Sequence, residues 1–257
     1  MALLEIKSLR KKFGGLAAVH DLDFEVNEGE IRGIIGPNGS GKTTLFNLIS
    51  GFYRPTKGKV FYRGEDITGL RPSAIAKRGI ARTFQLTSLY NNFTVQQNVV
   101  AASYLHTGVG FFGAALNTPS TVNREREVEE KALEVLTSMG LADYKYQLAD
   151  NLPQGLQRVL GICIALATQP EVLMLDEPAS GLSPAETTEV MHMIDSIRHR
   201  GVTILLVEHD MRVIMGLCDQ ITVLAFGKKI AEGSPKEVGE NRDVIEAYLG
   251  TEEEYVT

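Results

Sequence analysis

The stretch IRGIIGPNGSGKTTLFNLIS, residues 31 to 50, permits few folds. IRGIIG is a short apolar run ended by glycine, which predicts a buried strand. KTTLFNLIS sets Leu45, Leu48 and Ile49 on one helical face, with Gly51 as the stop. Between them GPNGSGKT matches the pattern G-x-x-x-x-G-K-S/T. In a strand–loop–helix of this kind, glycines let backbone N–H groups turn toward phosphate oxygens, and the helix N-terminus adds positive potential. The candidate phosphate ligands are Gly36, Pro37, Asn38, Gly39, Ser40, Gly41, Lys42, Thr43 and Thr44. Lys42 is placed to reach the β and γ phosphates, and the Thr43 hydroxyl to bind Mg²⁺.

Two further apolar runs, VLMLD (172 to 176) and TILLVEH (203 to 209), read as strands covered on both faces. AETTEVMHMIDSIRHRG lies between them. Its Val190, Met193, Ile194 and Ile197 follow helical spacing, and Gly201 predicts the C-terminal cap. Alternation of this kind implies an α/β sheet. Asp176 ends the first run and is the candidate Mg²⁺ partner. Glu177 follows directly, placed to polarise a water for attack on a γ-phosphate. His209 adds a third polar group at a strand end.

Residues 89 to 170 lack strand-like runs and carry a charged amphipathic helix after Pro119. They read as a helical subdomain inserted between core segments 1–88 and 171–250, with 251–257 an acidic tail. The loop TGVGFFGAALNTPS carries Phe111 and Phe112, for packing or for a partner.

Composition narrows the function. At 257 residues and 44% hydrophobic content, the chain can bury a sizeable core. A net charge of −6 argues against a sequence-independent nucleic-acid grip, so no nucleic-acid partner is expected. Cys163 and Cys218 sit in apolar segments without metal-like spacing, as buried thiols do. The longest apolar run, VLGICIALA, is about half the roughly 18 residues needed to span a bilayer. Any membrane role is therefore expected through a partner.

With these motifs in order, the sequence resembles the ATP-binding subunits of ABC transporters, from Phe13 to Gly250. The supporting residues are Phe13, GPNGSGKTT, Gln85 in RTFQ, LDEP, the SGLSP that follows and His209. FGGLAAVHDLDFEV, TVQQNVV, LATQPEVLMLDEPASGLSP, VEHDMRVIMGLCD and VIEAYLG look like the LivG type, the ATPase of branched-chain amino acid uptake systems. The resemblance implies a RecA-like P-loop NTPase core of ABC type, with an N-terminal antiparallel β portion and the helical subdomain. It implies ATP and Mg²⁺ as cofactors. Phe13 is implied to stack on adenine, Gln85 to touch Mg²⁺ and the attacking water, Glu177 to act as general base, and His209 to hold the γ-phosphate and water. The implied partners are membrane (permease) subunits, a second ATPase subunit and, indirectly, a solute-binding protein. A short permease helix is expected against QLTSLYNNF, residues 85 to 93, and the location implied is peripheral, on the cytoplasmic face of the inner membrane. Lipopolysaccharide-export and urea- or amide-type ATPases are the alternatives within the fold.

One motif departs from the pattern. Where such ATPases carry LSGGQ, this chain has Leu152-Pro153-Gln154-Gly155-Leu156. Pro153 offers neither a hydroxyl nor an N–H, and Leu156 has no side-chain amide; Gly155 alone keeps its place. The loop is expected to pack on a partner's nucleotide while stabilising its transition state poorly, which favours a heterodimer over a homodimer. The alternative is that Gly155 and the helix N-terminus suffice.

Overall fold

The computed structural model describes residues 2–83, 89–107 and 119–249. Gln85, Phe111, Phe112 and the acidic tail lie outside them. The chain divides into two compact units, residues 1–80 with 171–257, and residues 81–170. The first boundary thus falls at 80/81, eight residues ahead of the sequence expectation.

The larger unit holds two sheets. β1 (Ala2–Phe13) and β2 (Leu16–Asn27) form an antiparallel hairpin across Gly14 and Gly15. β4 (Lys57–Tyr62) and β5 (Glu65–Asp66) extend it to the order β2-β1-β4-β5. Alternate residues Leu4, Ile6, Leu22, Phe24 and Val26 are buried, the period-2 pattern of a sheet with one covered face. This is the antiparallel portion expected from the resemblance.

The second sheet runs β10-β9-β3-β8-β7-β6, from β3 (Ile31–Ile35), β6 (Ile80–Arg82), β7 (Val172–Asp176), β8 (Thr203–Val207), β9 (Gln220–Ala225) and β10 (Lys228–Gly233). β3 lies parallel between β8 and β9, and β7 is parallel to β8. All residues of β3, β7 and β8 are buried, which explains their largely apolar sequences; the exceptions are Arg32, Asp176 and Thr203. Helix α1 (Lys42–Ile49) packs Leu45, Phe46, Leu48 and Ile49 into a core shared by both sheets. Phe46 joins the face read from the sequence because the helix is covered by both sheets.

α2 (Pro72–Ala76) is a single turn ahead of β6. In the smaller unit, α3 (Val95–Thr107), α4 (Pro119–Ser138) and α5 (Gln154–Leu166) form a helical cluster. Val99, Val128, Ala132, Leu136, Leu160 and Cys163 are buried in it. Fully buried Asn98 fixes the preceding loop: its Oδ1 accepts from Tyr90 N at 2.8 Å, and its Nδ2 donates to Tyr90 O at 3.1 Å and Thr94 O at 3.0 Å. Tyr90 and Phe93 are thereby held as an exposed aromatic pair, centroids 5.1 Å apart.

Back in the larger unit, α6 (Pro184–His199) begins with a capping box: Ser183 Oγ accepts from Glu186 N, and Ser183 N donates to Glu186 Oε2 at 2.8 Å. Its buried face is Thr187, Val190, Ile194 and Ile197. Met193, expected there, is only half-buried, since the face one turn earlier is completed by Thr187. α7 (Met211–Leu217), α8 (Pro235–Gly239) and α9 (Arg242–Leu249) complete the chain. Among the described residues no helix is long and apolar enough to cross a membrane.

Candidate functional site

β3 ends at Ile35, and the loop after it is shaped by glycines that nothing else can replace. Gly36 has φ 149°, and a Cβ there would stand 2.0 Å from Leu224 O. Gly41, at φ 105°, would press a Cβ to 2.4 Å from Ala18 O. Both lie in the region that L side chains avoid. The loop therefore hugs β2 and β9.

The charge in this loop is equally specific. Lys42 is buried, and its ammonium donates to Gly36 O at 2.6 Å and Pro37 O at 3.0 Å. Desolvation pushes its pKa below the usual lysine range, partly offset by the carboxylates of Glu177 and Asp176. Ser40 is buried with no hydrogen-bond partner for its hydroxyl. Gly41 provides no side-chain cap for α1, and the first turn carries no acidic residue. Uncapped donors, an orphaned hydroxyl and a desolvated ammonium fit a polyphosphate. The Thr43 hydroxyl and Asp176 are hard oxygen donors that fit Mg²⁺, which is commonly bound by one or two protein groups plus phosphate oxygens. Among the described residues there is no cluster of three or more metal-ligating His, Cys, Asp or Glu.

A cleft of about 340 Å³ lies over this loop, lined by Asn38 to Thr44, by Phe13, Leu16 and Ala18, and by Glu177 and His209. Phe13 meets Tyr53 edge-on, with centroids 5.3 Å apart and planes at 76°. Lys11 Nζ lies 4.9 Å from the Phe13 centroid, so the ring is held from its own strand.

Glu177 follows β7 directly and takes a left-handed backbone, φ 52°. Such a conformation in a non-glycine residue is sparsely populated and concentrates at functional sites. Its Oε1 lies 2.6 Å from His209 Nε2, and both side chains open on the cleft. Asp176 is buried beside them at the end of β7.

The structure thus brings Phe13, Asn38 to Thr44, Glu177 and His209 to one cleft; Gly36 and Pro37 accept from Lys42 there, and the Asp176 carboxylate acts on the same ammonium. Gly155 belongs to the other unit, at the start of α5. There Pro153 stands at the N-cap without a capping side chain, and Gln157 Nε2 folds back onto Leu152 O at 3.0 Å. Two residues escaped sequence reasoning. Tyr248, on α9, has its phenol held above the ordinary range by burial, partly offset by the Gly36 backbone. Glu208, buried between Val207 and His209, had one visible signal, a charge closing an apolar run.

Known proteins resemble this chain over most of its length. A family model described as ABC transporter matches residues 19–180. A second, described as branched-chain amino acid ATP-binding cassette transporter, matches 228–254, the segment containing Tyr248. The chain is 44% identical over 249 residues to the high-affinity branched-chain amino acid transport ATP-binding protein LivG of Salmonella typhimurium, covering 96% of this chain and 98% of that protein. It is 41% identical over the same length to BraF, the corresponding protein of Pseudomonas aeruginosa. Among solved structures, the ADP conformation of an ATP-binding cassette of an ABC transporter superposes with TM-score 0.85, 31% identity and coverage of 97% and 99%. A nucleotide-free ATP-binding cassette gives 0.84, 30%, and 96% and 99%. The chain belongs to the ABC transporter ATPase family, in its branched-chain amino acid branch.

Proposed function

We propose that this chain is the ATP-hydrolysing subunit of an importer for branched-chain, hydrophobic amino acids, bound peripherally to partner membrane subunits on the cytoplasmic face. The observation that carries it is the single cleft joining the Lys42 cradle to the Glu177–His209 pair. The C-terminal family match and the curated relatives favour this reading over lipopolysaccharide export or urea and amide uptake.

In this reading Phe13 stacks on the adenine, and the N–H groups from Gly39 to Thr44 hold the phosphates. Lys42 exchanges its two loop carbonyls for phosphate oxygens, which relieves its desolvation. Glu177 accepts the proton of the attacking water, while His209 donates to the γ-phosphate and orients Glu177. Mg²⁺, when bound through Thr43, Asp176 and Gln85, supplies charge neutralisation on the β and γ oxygens. Gln85 enters this set from the resemblance alone.

The partners follow from two surfaces. Tyr90 and Phe93, exposed on the loop that Asn98 anchors, suit a short apolar helix from a membrane subunit. The start of α5, with Gly155 and Pro153, closes on the nucleotide of a second ATPase. The loss of hydroxyl and amide donors there favours a different ATPase as that partner. Light scattering on the Glu177→Gln protein with MgATP separates the cases: a dimer formed with ATP means self-pairing, and an ATP-binding monomer means a second ATPase.

The transport reading is tested by ATP-driven leucine uptake into proteoliposomes carrying the assembled complex. Uptake that depends on this subunit and stops in Glu177→Gln is expected. Turnover stimulated by urea and indifferent to leucine would overturn the substrate class.

A further inference from the structure

Glu208, next in sequence to the cleft residue His209, is a carboxylate at 2% exposure, and buried carboxylates are rare without partners. Among the described residues its partners are backbone donors at the catalytic end of the sheet. One oxygen accepts from Ala179 N at 2.7 Å. The other accepts from His209 N at 2.8 Å and Asp210 N at 3.4 Å.

The location explains the need. At these strand ends Glu177 N donates to Val207 O, at 2.9 Å. Beyond it the two chains diverge, one through left-handed Glu177 and the other into His209. The Ala179 N–H is buried past the end of the ladder and cannot be left orphaned. Glu208 takes it with a side chain. In effect its carboxylate adds one rung that ties the loop after Glu177 to the loop that starts at His209.

We propose that Glu208 is a positioning residue for hydrolysis, fixing the 2.6 Å contact of Glu177 Oε1 with His209 Nε2 by clamping the backbones on either side of it. The inference rests on the hydrolytic reading of Glu177 and His209. The cleft is lined by Glu177 and His209 and not by Glu208, which acts through those two residues.

The substitution Glu208→Gln isolates the effect. It preserves shape and one acceptor but turns an NH₂ toward backbone N–H donors. Turnover of the assembled complex should fall about 10–100-fold, the usual consequence of misplacing a reacting group by about an ångström. The dissociation constant for a fluorescent ATP analogue should stay within about twofold, since the cradle around Lys42 is untouched. The ring ¹⁵N signal of His209, assigned by its loss in His209→Gln, should shift in the nucleotide-free protein. Should the Gln variant fail to fold, Glu208→Asp, which keeps both oxygens but shortens their reach, is expected to show the same pattern. Wild-type turnover with an unchanged His209 signal would overturn the inference, as would turnover and analogue binding falling together. Glu177→Gln, run in parallel, separates the two levels: if it still hydrolyses ATP, the hydrolytic reading fails as well. If it is inactive while Glu208→Gln is unaffected, only the positioning role fails.

Discussion

His209 Nε2 and Glu177 Oε1 meet at 2.6 Å across the ends of two neighbouring parallel strands. Neither residue could reach the other without the register that pairs Asp176 with Val207. His209→Ala should leave nucleotide binding within a few-fold of wild type while lowering turnover by roughly 10²–10³-fold, the range for losing one preorganised hydrogen-bond donor at the transition state. Paired binding and turnover assays check this; a matched loss in both would assign His209 to binding instead.

Lys42 gives a pH dependence with a definite sign. In the nucleotide-free protein its pKa lies below the usual lysine value because burial disfavours the ammonium. A bound triphosphate favours the charged form, so the pKa rises on binding. Binding is therefore linked to proton uptake at alkaline pH, and affinity falls as pH rises through the nucleotide-free pKa. Calorimetry of ATP binding in buffers of different ionisation enthalpy measures the uptake directly. Lys42→Met should remove the linkage along with most of the affinity.

The phosphate-loop glycines should not be equivalent. A Cβ at Gly36 meets Leu224 O at 2.0 Å, whereas one at Gly39 meets nothing within 4 Å. Gly39→Ala carries only the backbone penalty of φ 76°, about 1–2 kcal/mol. Gly36→Ala adds a clash with backbone and should cost clearly more than about 2 kcal/mol. Urea unfolding of both variants without nucleotide provides the comparison.

Tyr90 is 60% exposed and stacked against Phe93 on a loop fixed by buried Asn98. A cysteine placed by Tyr90→Cys should cross-link to a cysteine on a cytoplasmic helix of the membrane subunit. Failure to cross-link in both nucleotide states would remove this loop from the docking surface. Asn98→Ala, which frees the loop, should weaken assembly with the membrane subunit while leaving ATP binding intact.

Much of the fold is legible in the sequence. The largely apolar runs of β3, β7 and β8 are buried throughout, and their composition follows from being covered on both faces. The phosphate loop was readable because its glycines are forced by steric contact, visible here at Gly36 and Gly41. The left-handed backbone of Glu177 was not, because nothing in LDEP marks a glutamate for φ 52°. Tyr248 was equally hidden, since its approach to Gly36 depends on how α9 packs far along the chain. Glu208 reads as an ordinary charge at a strand end until Ala179 N is found against it.

The central claim is that the cleft holding Lys42, Glu177 and His209 hydrolyses ATP with Glu177 as the base. The most direct measurement is ATP turnover by the assembled complex with wild-type and Glu177→Gln subunits, alongside their affinity for ATP. Near-abolished turnover with ATP affinity retained is the expected result. A Glu177→Gln subunit that supports turnover at half the wild-type rate or more would contradict it.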